Sequence, residues 1–495
     1  MQGLDILDTC SVLRCDPLLK SNYPLKIGFV SLGCPKNLVD TEVMMGQLVA
    51  EGHQLTPQPS EADVIVINTC SFIDPAKQES VDTILEMAEY KKTGRAQRLI
   101  VAGCLVERYR DEIRKDIPEV DAVLGTNELN RITALCEGMD FTSEPSPGPY
   151  LYHDLTARIL TTPSHSAYIK IAEGCDHPCS FCVIPQFRGK FRSRRFESVI
   201  NEATRLFAAG VREINLIGQD TTCYGEDLGL KNGLADLLAR LAEIPTDRAK
   251  WVRFLYAYPN RITQKLLDTI AAHESLVKYI DMPLQHASAS VLKRMKRGAN
   301  GEIFLKLLER IRATIPGVAI RTSMIVGFPG ESESDFEELC QFVPAAQFDR
   351  LGVFAYIDEE TSGSFHLDGK VDKKTILHRK RRLLSLQKRI ALQRNRHLVG
   401  CEVPVLVEGP SSESEWIWQG RLATQAPEID GVCYINDLGE AGARRGEIRL
   451  LHITEAHHYD LVGHLVDSPE MLLVEPPQLA GPFRILQGVP ISPTF

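Results

Sequence analysis

Twice along this chain, short apolar runs alternate with amphipathic stretches long enough to form helices. That alternation calls for parallel sheets with helices packed on their faces. The first region offers strands at 26–31, 63–68, 98–102 and 120–124, with helical stretches such as 38–51 and 75–90 between them. The second offers strands at 167–172, 213–217, 252–257, 279–282, 319–326 and 351–356. Helical stretches such as 197–209, 260–272 and 302–315 separate these, so six strand–helix units in succession predict a parallel barrel or an open part of one.

The remaining segments divide the 495 residues further, which is expected because a chain of this length exceeds one hydrophobic core. Residues 1–22 read as a flexible leader, 23–139 as an N-terminal sheet domain and 140–166, rich in Pro, Ser and Thr, as a linker. Residues 167–396 hold the barrel and end in a basic helical stretch at 373–396, with ten Lys or Arg and no acid. Its apolar positions predict an amphipathic helix packed on the barrel with a solvated charged face. From 397 to 467 short β-like runs at 402–407, 415–422, 431–435 and 448–456 predict a small antiparallel barrel. Residues 468–495 are Pro-rich and read as a disordered tail.

The fold class expected is therefore α/β, with an open parallel sheet, a partial (β/α)6 barrel and a small β-barrel. Asp5 and Asp8 interrupt the only apolar stretch near the N-terminus, and no run reaches bilayer length. A cytoplasmic protein with no membrane partner is expected.

Thirteen cysteines are many for such a chain, and reduced, clustered thiols point to metal or catalysis rather than disulfides. Cys175, Cys179 and Cys182 form a C-x3-C-x2-C loop directly after the first barrel strand. Three thiolates this close can hold an iron–sulfur cluster and leave one iron open to a ligand. Barrel sites lie at the carboxyl ends of the strands, where this loop falls. Cys34, Cys70 and Cys104 each follow one of the first three N-terminal strands. The carboxyl ends of parallel strands share one edge, so these three can also converge. Cys136, Cys223, Cys340, Cys401 and Cys433 fit neither pattern and read as packing residues.

The 175–182 loop resembles the cluster loop of the radical S-adenosylmethionine superfamily. The two triads together, with the domain order, resemble the methylthiotransferases, whose C-terminal domain is a TRAM barrel. Segments 31–40, SLGCPKNLVD, and 282–286, MPLQH, are similar to the branch that modifies an aspartate of small-subunit ribosomal protein twelve. So are Ile184-Pro185, Arg188-Gly189 and Arg192-Ser193-Arg194, although Arg195 stands where that branch usually has Pro.

The resemblance implies two 4Fe-4S clusters, one on Cys34, Cys70 and Cys104 and one on Cys175, Cys179 and Cys182, with S-adenosylmethionine at the second. It implies Phe181 near the adenine and, more weakly, Gly218, Gln219 and Asp220 as cofactor contacts, with Gly327–Glu331 (327–331) a further glycine turn that permits close approach. It implies a two-stage reaction: methylation of a sulfur held at the first cluster, then hydrogen abstraction from the aspartate β-carbon. The implied partners are the ribosomal protein, free or within the ribosome, an electron donor and a sulfur donor.

Residues 397–467 hold twelve acids against four arginines, a net charge of −8. An acidic barrel suits a basic protein better than RNA, which weighs against the alternative of a tRNA-modifying member of the same family. An ordinary solvated acidic surface accounts for the count equally well. A non-catalytic ribosome binder with fully coordinated structural clusters is the alternative of a different class.

Overall fold

The structure, a computed structural model, describes residues 24–139, 141, 148–414, 416–466 and 486–487. The expected leader, the centre of the linker and nearly all of the Pro-rich tail lie outside the described residues.

The N-terminal domain is built from β1 (Lys26–Ser31), α1 (Pro35–Ala50), β2 (Val64–Thr69), α2 (Asp74–Ala88), β3 (Arg98–Gly103), α3 (Cys104–Asp116) and β4 (Ala122–Leu124). The strands pair in parallel in the order β1-β2-β3-β4, with Gln54–Thr56 and Leu486–Gln487 also along β1. Every residue of β2 is buried, as a central strand covered on both faces requires. Each strand runs directly into a helix, so the loops carrying Cys34, Cys70 and Cys104 lie side by side along one edge.

The barrel strands are β5 (Ser166–Lys170), β6 (Glu213–Ile217), β7 (Trp251–Phe254), β8 (Tyr279–Asp281), β9 (Ala319–Val326) and β10 (Arg350–Ala355). They pair in parallel as β5-β6-β7 and β8-β9-β10. Between β7 and β8 the seam holds by a bridge at Val252 and Leu276 and by hydrogen bonds such as Ala257 N–H to the Asp281 carbonyl, 2.8 Å. Among the described residues β5 and β10 do not pair with each other, so the barrel is open. Its longer helices are α4 (Phe196–Ala208), α5 (Gly233–Ala242), α6 (Gln264–Ala272), α7 (Gly301–Thr314), α8 (Glu333–Ala346) and α9 (Lys373–Arg396).

Helix α1 lies against the open side. Its Val39 and Val43 share one apolar cluster with Tyr168, Trp251 and Tyr279 of the barrel strands and with Leu406 and Ala426 beyond. The segment between the first two domains is tied in as well. Arg158 donates to Glu42 of α1 at 2.6 Å and to Glu202 of α4 at 2.6 Å.

The last domain is a closed barrel of β11 (Glu402–Pro410), β12 (Trp418–Leu422), β13 (Cys433–Asp437), β14 (Ile448–Ala456) and β15 (Leu461–Leu465), in the order β11-β12-β13-β15-β14. The expectation of a wholly antiparallel barrel is corrected here, because β13 and β15 pair in parallel. The reason is parity. Directions alternate from strand to strand around the ring, and an odd number of strands leaves one pair that must run the same way. The fifth strand, β15, completes the closure and was absent from the sequence reading.

This barrel docks at the amino ends of the larger barrel's strands. Glu213, the first residue of β6, is fully buried and accepts from Arg421 of β12 at 2.6 Å and from Arg253 of β7 at 3.1 Å. Tyr279 donates to Asp430 at 2.7 Å.

Candidate active site

The dispersed cysteines meet. Cys34 precedes α1, Cys70 follows β2 and Cys104 opens α3. Gly33, at φ +87°, permits the approach, since a Cβ there would stand 2.7 Å from the Cys70 Cβ. Asn37 joins the three loops. Its Nδ2 donates to the carbonyls of Leu32 at 3.1 Å and Thr69 at 2.9 Å, and its Oδ1 accepts from the Cys104 thiol at 3.6 Å.

Burial pushes the Cys104 thiol up to about 12, with Arg188 opposing and Cys70 and Cys34 adding. Burial and then Cys34 push Cys70 up to about 11. Soft sulfur donors gathered from three junctions suit a multivalent, thiophilic metal centre that takes them as thiolates.

The second triad sits on one loop. Ala172–Glu173 pairs antiparallel with Arg192–Ser193 and closes the loop at its base. Gly174, at φ +81°, is required there, because a Cβ would fall 2.1 Å from the Lys190 carbonyl oxygen. The Cys182 N–H donates to the Cys179 carbonyl at 3.1 Å. Burial pushes Cys182 up to about 12, with Cys179 and Cys175 adding. Cys175 rises to about 11 by burial, against the His177 backbone N–H and with Asp220 and Cys179 adding. The donor set again fits an iron–sulfur cluster with three protein ligands.

His177 stacks on Tyr258, with ring centroids 3.8 Å apart, and its Nε2 lies 2.5 Å from Asp220 Oδ2. The Cys223 thiol donates to that oxygen at 3.0 Å. This clasp fixes the loop and occupies His177. Arg297 donates to Cys179 Sγ at 3.5 Å and lies over Tyr258, 4.5 Å from the ring centroid.

Of the other expected contacts, Asp220 thus holds the cluster loop, and Gln219 Nε2 donates to Glu173 Oε1 at 2.5 Å. The Gly218 carbonyl accepts from Lys36 Nζ at 3.4 Å, and Phe181 is half-buried against the barrel core. Arg194 is structural, donating to Glu202 at 2.5 Å over the Tyr152 ring. Arg192 spends its guanidinium on Asn127 and on backbone carbonyls. Of the cysteines read as packing residues, Cys401 is exposed, which corrects that reading, whereas Cys223 is buried and also serves the clasp.

One residue ties the two triads together. Arg188 ends the short helix Ile184–Arg188 that follows Cys182, and its Nε donates to Cys104 Sγ at 3.2 Å. Its other nitrogens reach Asp40 at 2.8 Å, Glu173 at 3.2 Å and Asn37. Lys170 completes the group by donating to Asp40 and, at 2.6 Å, to Glu173. Two cations and two carboxylates are buried together between the domains. Despite burial, Lys170 and Arg188 hold Glu173 well below the usual carboxylate range. Val183 and Phe187 of the same short segment pack on Cys104.

Residues 26–125 match a family described as uncharacterized protein family UPF0004, residues 169–343 the radical SAM superfamily and residues 399–466 the TRAM domain. A ribosomal protein uS12 methylthiotransferase RimO of Solibacter usitatus is 71% identical over 92% of this chain and 98% of its own. A second, of Koribacter versatilis, is 56% identical over 90% of this chain and 97% of its own.

This chain belongs to the RimO family.

Among solved structures it resembles a radical S-adenosylmethionine methyltransferase, TsrM, of Kitasatospora setae. The TM-score is 0.51 at 14% identity, covering 67% of this chain and 75% of that one, a likeness of fold.

In this RimO-family chain the sequence reading missed the residues between the triads. Lys170, Glu173 and Arg297 carry no local signal, because a charge in a strand or turn becomes informative only when its burial is known. Arg188 and Asp40 were noticed only as parts of family-like segments. Tyr256 was missed too; it adopts φ +64°, rare for a bulky residue, and holds Lys36 Nζ 3.4 Å from its ring centroid.

Proposed function

We propose that this protein is a radical S-adenosylmethionine methylthiotransferase that attaches a methylthio group to the β-carbon of an aspartate in ribosomal protein uS12. The observation that supports the reading is the Arg188 contact, which brings the short helix after Cys182 against Cys104, 3.2 Å from Arg188 Nε to the sulfur. In this reading Cys34, Cys70 and Cys104 hold one 4Fe-4S cluster, and Cys175, Cys179 and Cys182 hold the other. Phe181, Gly218, Gln219 and Asp220 lie toward the S-adenosylmethionine site.

An aliphatic β-C–H is far too weak an acid for a side-chain base, so the step needs radical chemistry, which the second cluster and S-adenosylmethionine supply when bound. The protein's own work is placement. The His177–Asp220–Cys223 clasp fixes the cluster loop, and the Asp40–Lys170–Glu173–Arg188 group fixes the spacing of the domains.

An electron donor and a sulfur donor are required partners, and the cytoplasm is the expected setting. Among the described residues no helix is long and apolar enough to cross a membrane.

Anaerobically reconstituted protein, given S-adenosylmethionine, reductant and uS12, is expected to form 5′-deoxyadenosine and to add one methylthio group to a single uS12 aspartate, read by peptide mass spectrometry. Methylthiolated adenosine in tRNA with unmodified uS12 would overturn the substrate. Absence of 5′-deoxyadenosine would overturn the enzyme.

A further inference from the structure

Helix α9 carries ten lysines and arginines and no acid; Lys373 is exposed in its first turn and Lys380 is half-buried, and the structure splits the other eight into two sets. Arg379 pairs with Glu331 and Glu333 at 3.1 Å, Arg382 with Glu337 at 2.6 Å and Arg394 with Asp349 at 2.7 Å. These lie toward the barrel beside the buried Ile376, Leu383 and Ile390. The second set comprises Lys374, Arg381, Lys388, Arg389 and Arg396. All five are exposed, and none makes an ion pair among the described residues.

Positions 374, 381 and 388 are spaced by two helical turns, and 389 and 396 follow a parallel line about 100° further round the helix. Together the five form one broad stripe about 33 Å long and about 100° wide, at 1.5 Å and 100° per residue.

The ends of the stripe are defined. At the start of α9 the Ile376 side chain packs where a Cβ on Gly327 would be, 2.2 Å away, just past β9 and so at the end of the barrel that carries the cluster loop. At the other end Asn395 Nδ2 donates to the His457 carbonyl, 2.9 Å, on the small barrel. The stripe thus runs from the catalytic end of the molecule to its acidic domain.

A solvated helix normally mixes charges of both signs on its outer face. This one has a single sign in a protein of net charge −9. We propose that the stripe seats the protein on the phosphate backbone of folded RNA, so that uS12 within an RNA–protein particle is modified in preference to the free chain.

This rests on the uS12 reading above and deepens it. Ribosomal proteins are basic and lie against RNA. A basic stripe on phosphates, with the acidic barrel turned to the protein, fixes one orientation of approach. Five phosphate contacts give a steep salt dependence, with affinity falling about 500-fold between 50 and 200 mM salt.

The test uses the full-length, cluster-loaded protein and a variant carrying Lys374→Glu, Arg381→Glu, Lys388→Glu and Arg396→Glu. Binding to purified small ribosomal subunits and to their deproteinised RNA is measured across salt concentrations, and methylthiolation is measured on subunits and on free uS12. The wild-type protein is expected to bind both the particle and its RNA with the steep slope. The variant is expected to bind at least about 100-fold more weakly and to lose modification of subunits while modifying free uS12 as before.

A second variant, Arg381→Lys with Arg389→Lys and Arg396→Lys, is expected to keep the slope, which separates charge from fold. Unchanged binding and subunit modification in the charge-reversed variant would overturn the proposal. So would wild-type affinity for phosphatidylserine vesicles in place of RNA. The RNA-binding arm needs no catalysis, so an enzyme found to act on a different substrate would sink the uS12 reading without touching the stripe's measured affinity for RNA.

Discussion

The two cysteine triads are built in opposite ways. Cys175, Cys179 and Cys182 lie on one loop, and a two-residue strand pair plus the His177 clasp suffices to shape it. Cys34, Cys70 and Cys104 come from three strand–helix junctions, and only the parallel register of β1, β2 and β3 brings them together. A local site is fixed by short-range geometry, whereas a dispersed one inherits every error in the sheet beneath it. The dispersed triad is also the more buried, with Cys70 and Cys104 inside and all three thiols of the local triad partly open.

The largest test of this contrast removes one ligand from each triad. Cys179→Ala is expected to lower iron from about eight to about four per chain and to bring 5′-deoxyadenosine formation to background. Cys70→Ala is expected to cost the same iron yet leave that product intact, because the cluster that cleaves the cofactor is untouched. Iron and sulfide analysis with Mössbauer spectroscopy, alongside product assay, reads both. Equal loss of the product in the two variants would end the idea of separate construction.

Long-range placement can be broken without touching a cysteine. Glu213→Gln leaves Arg253 buried without its carboxylate and leaves Arg421 only Glu408, at 2.6 Å, and a loss of about 3–5 kcal/mol is expected in thermal or denaturant unfolding. Its acidity gives the sign with pH. Despite burial, the two arginines hold the Glu213 carboxyl far below its usual range. Its stabilising contribution is therefore present above the ordinary glutamate pKa and is lost as pH falls through the folded value. The variant is expected to lack that acid dependence. An identical decline in both proteins would show that the pair does not hold the small barrel in place.

The two glycines give a finer comparison. Gly33→Ala and Gly174→Ala each force a side chain into a positive-φ turn against a close neighbour, at a cost of about 1–3 kcal/mol. Gly33→Ala is expected to loosen iron at the dispersed triad alone, and Gly174→Ala at the local one alone, in competition with a chelator.

The smallest effect is at the bridge. Arg188→Lys keeps the charge but cannot contact Cys104, Asp40 and Asn37 together. About a tenfold weaker hold on iron at the first triad is expected, with the second unchanged. A shift confined to the second triad would overturn the role given to Arg188.

Much of the fold was legible before any coordinates. Strand 26–31 coincides with β1, 213–217 with β6 and 319–326 with β9, because buried parallel strands are short, apolar runs with strong boundaries. The parallel pair in the small barrel was not legible, since strand direction around a closed ring is settled by how many strands close it. Likewise the stripe on α9 was visible as ten cations, but which of them are spent on Glu331, Glu337 and Asp349 depended on what packs beneath the helix.

By itself the sequence determined the local chemistry: the spacing of one cysteine loop, the positions of three more cysteines after strands, and the order of the domains. Those follow from short-range periodicity and chain connectivity. Only the tertiary structure decided which distant charges share a buried space, as Asp40, Lys170, Glu173 and Arg188 do across residues far apart in the chain. Burial multiplies the strength of such interactions, and burial is a property of the packed domains rather than of any one segment.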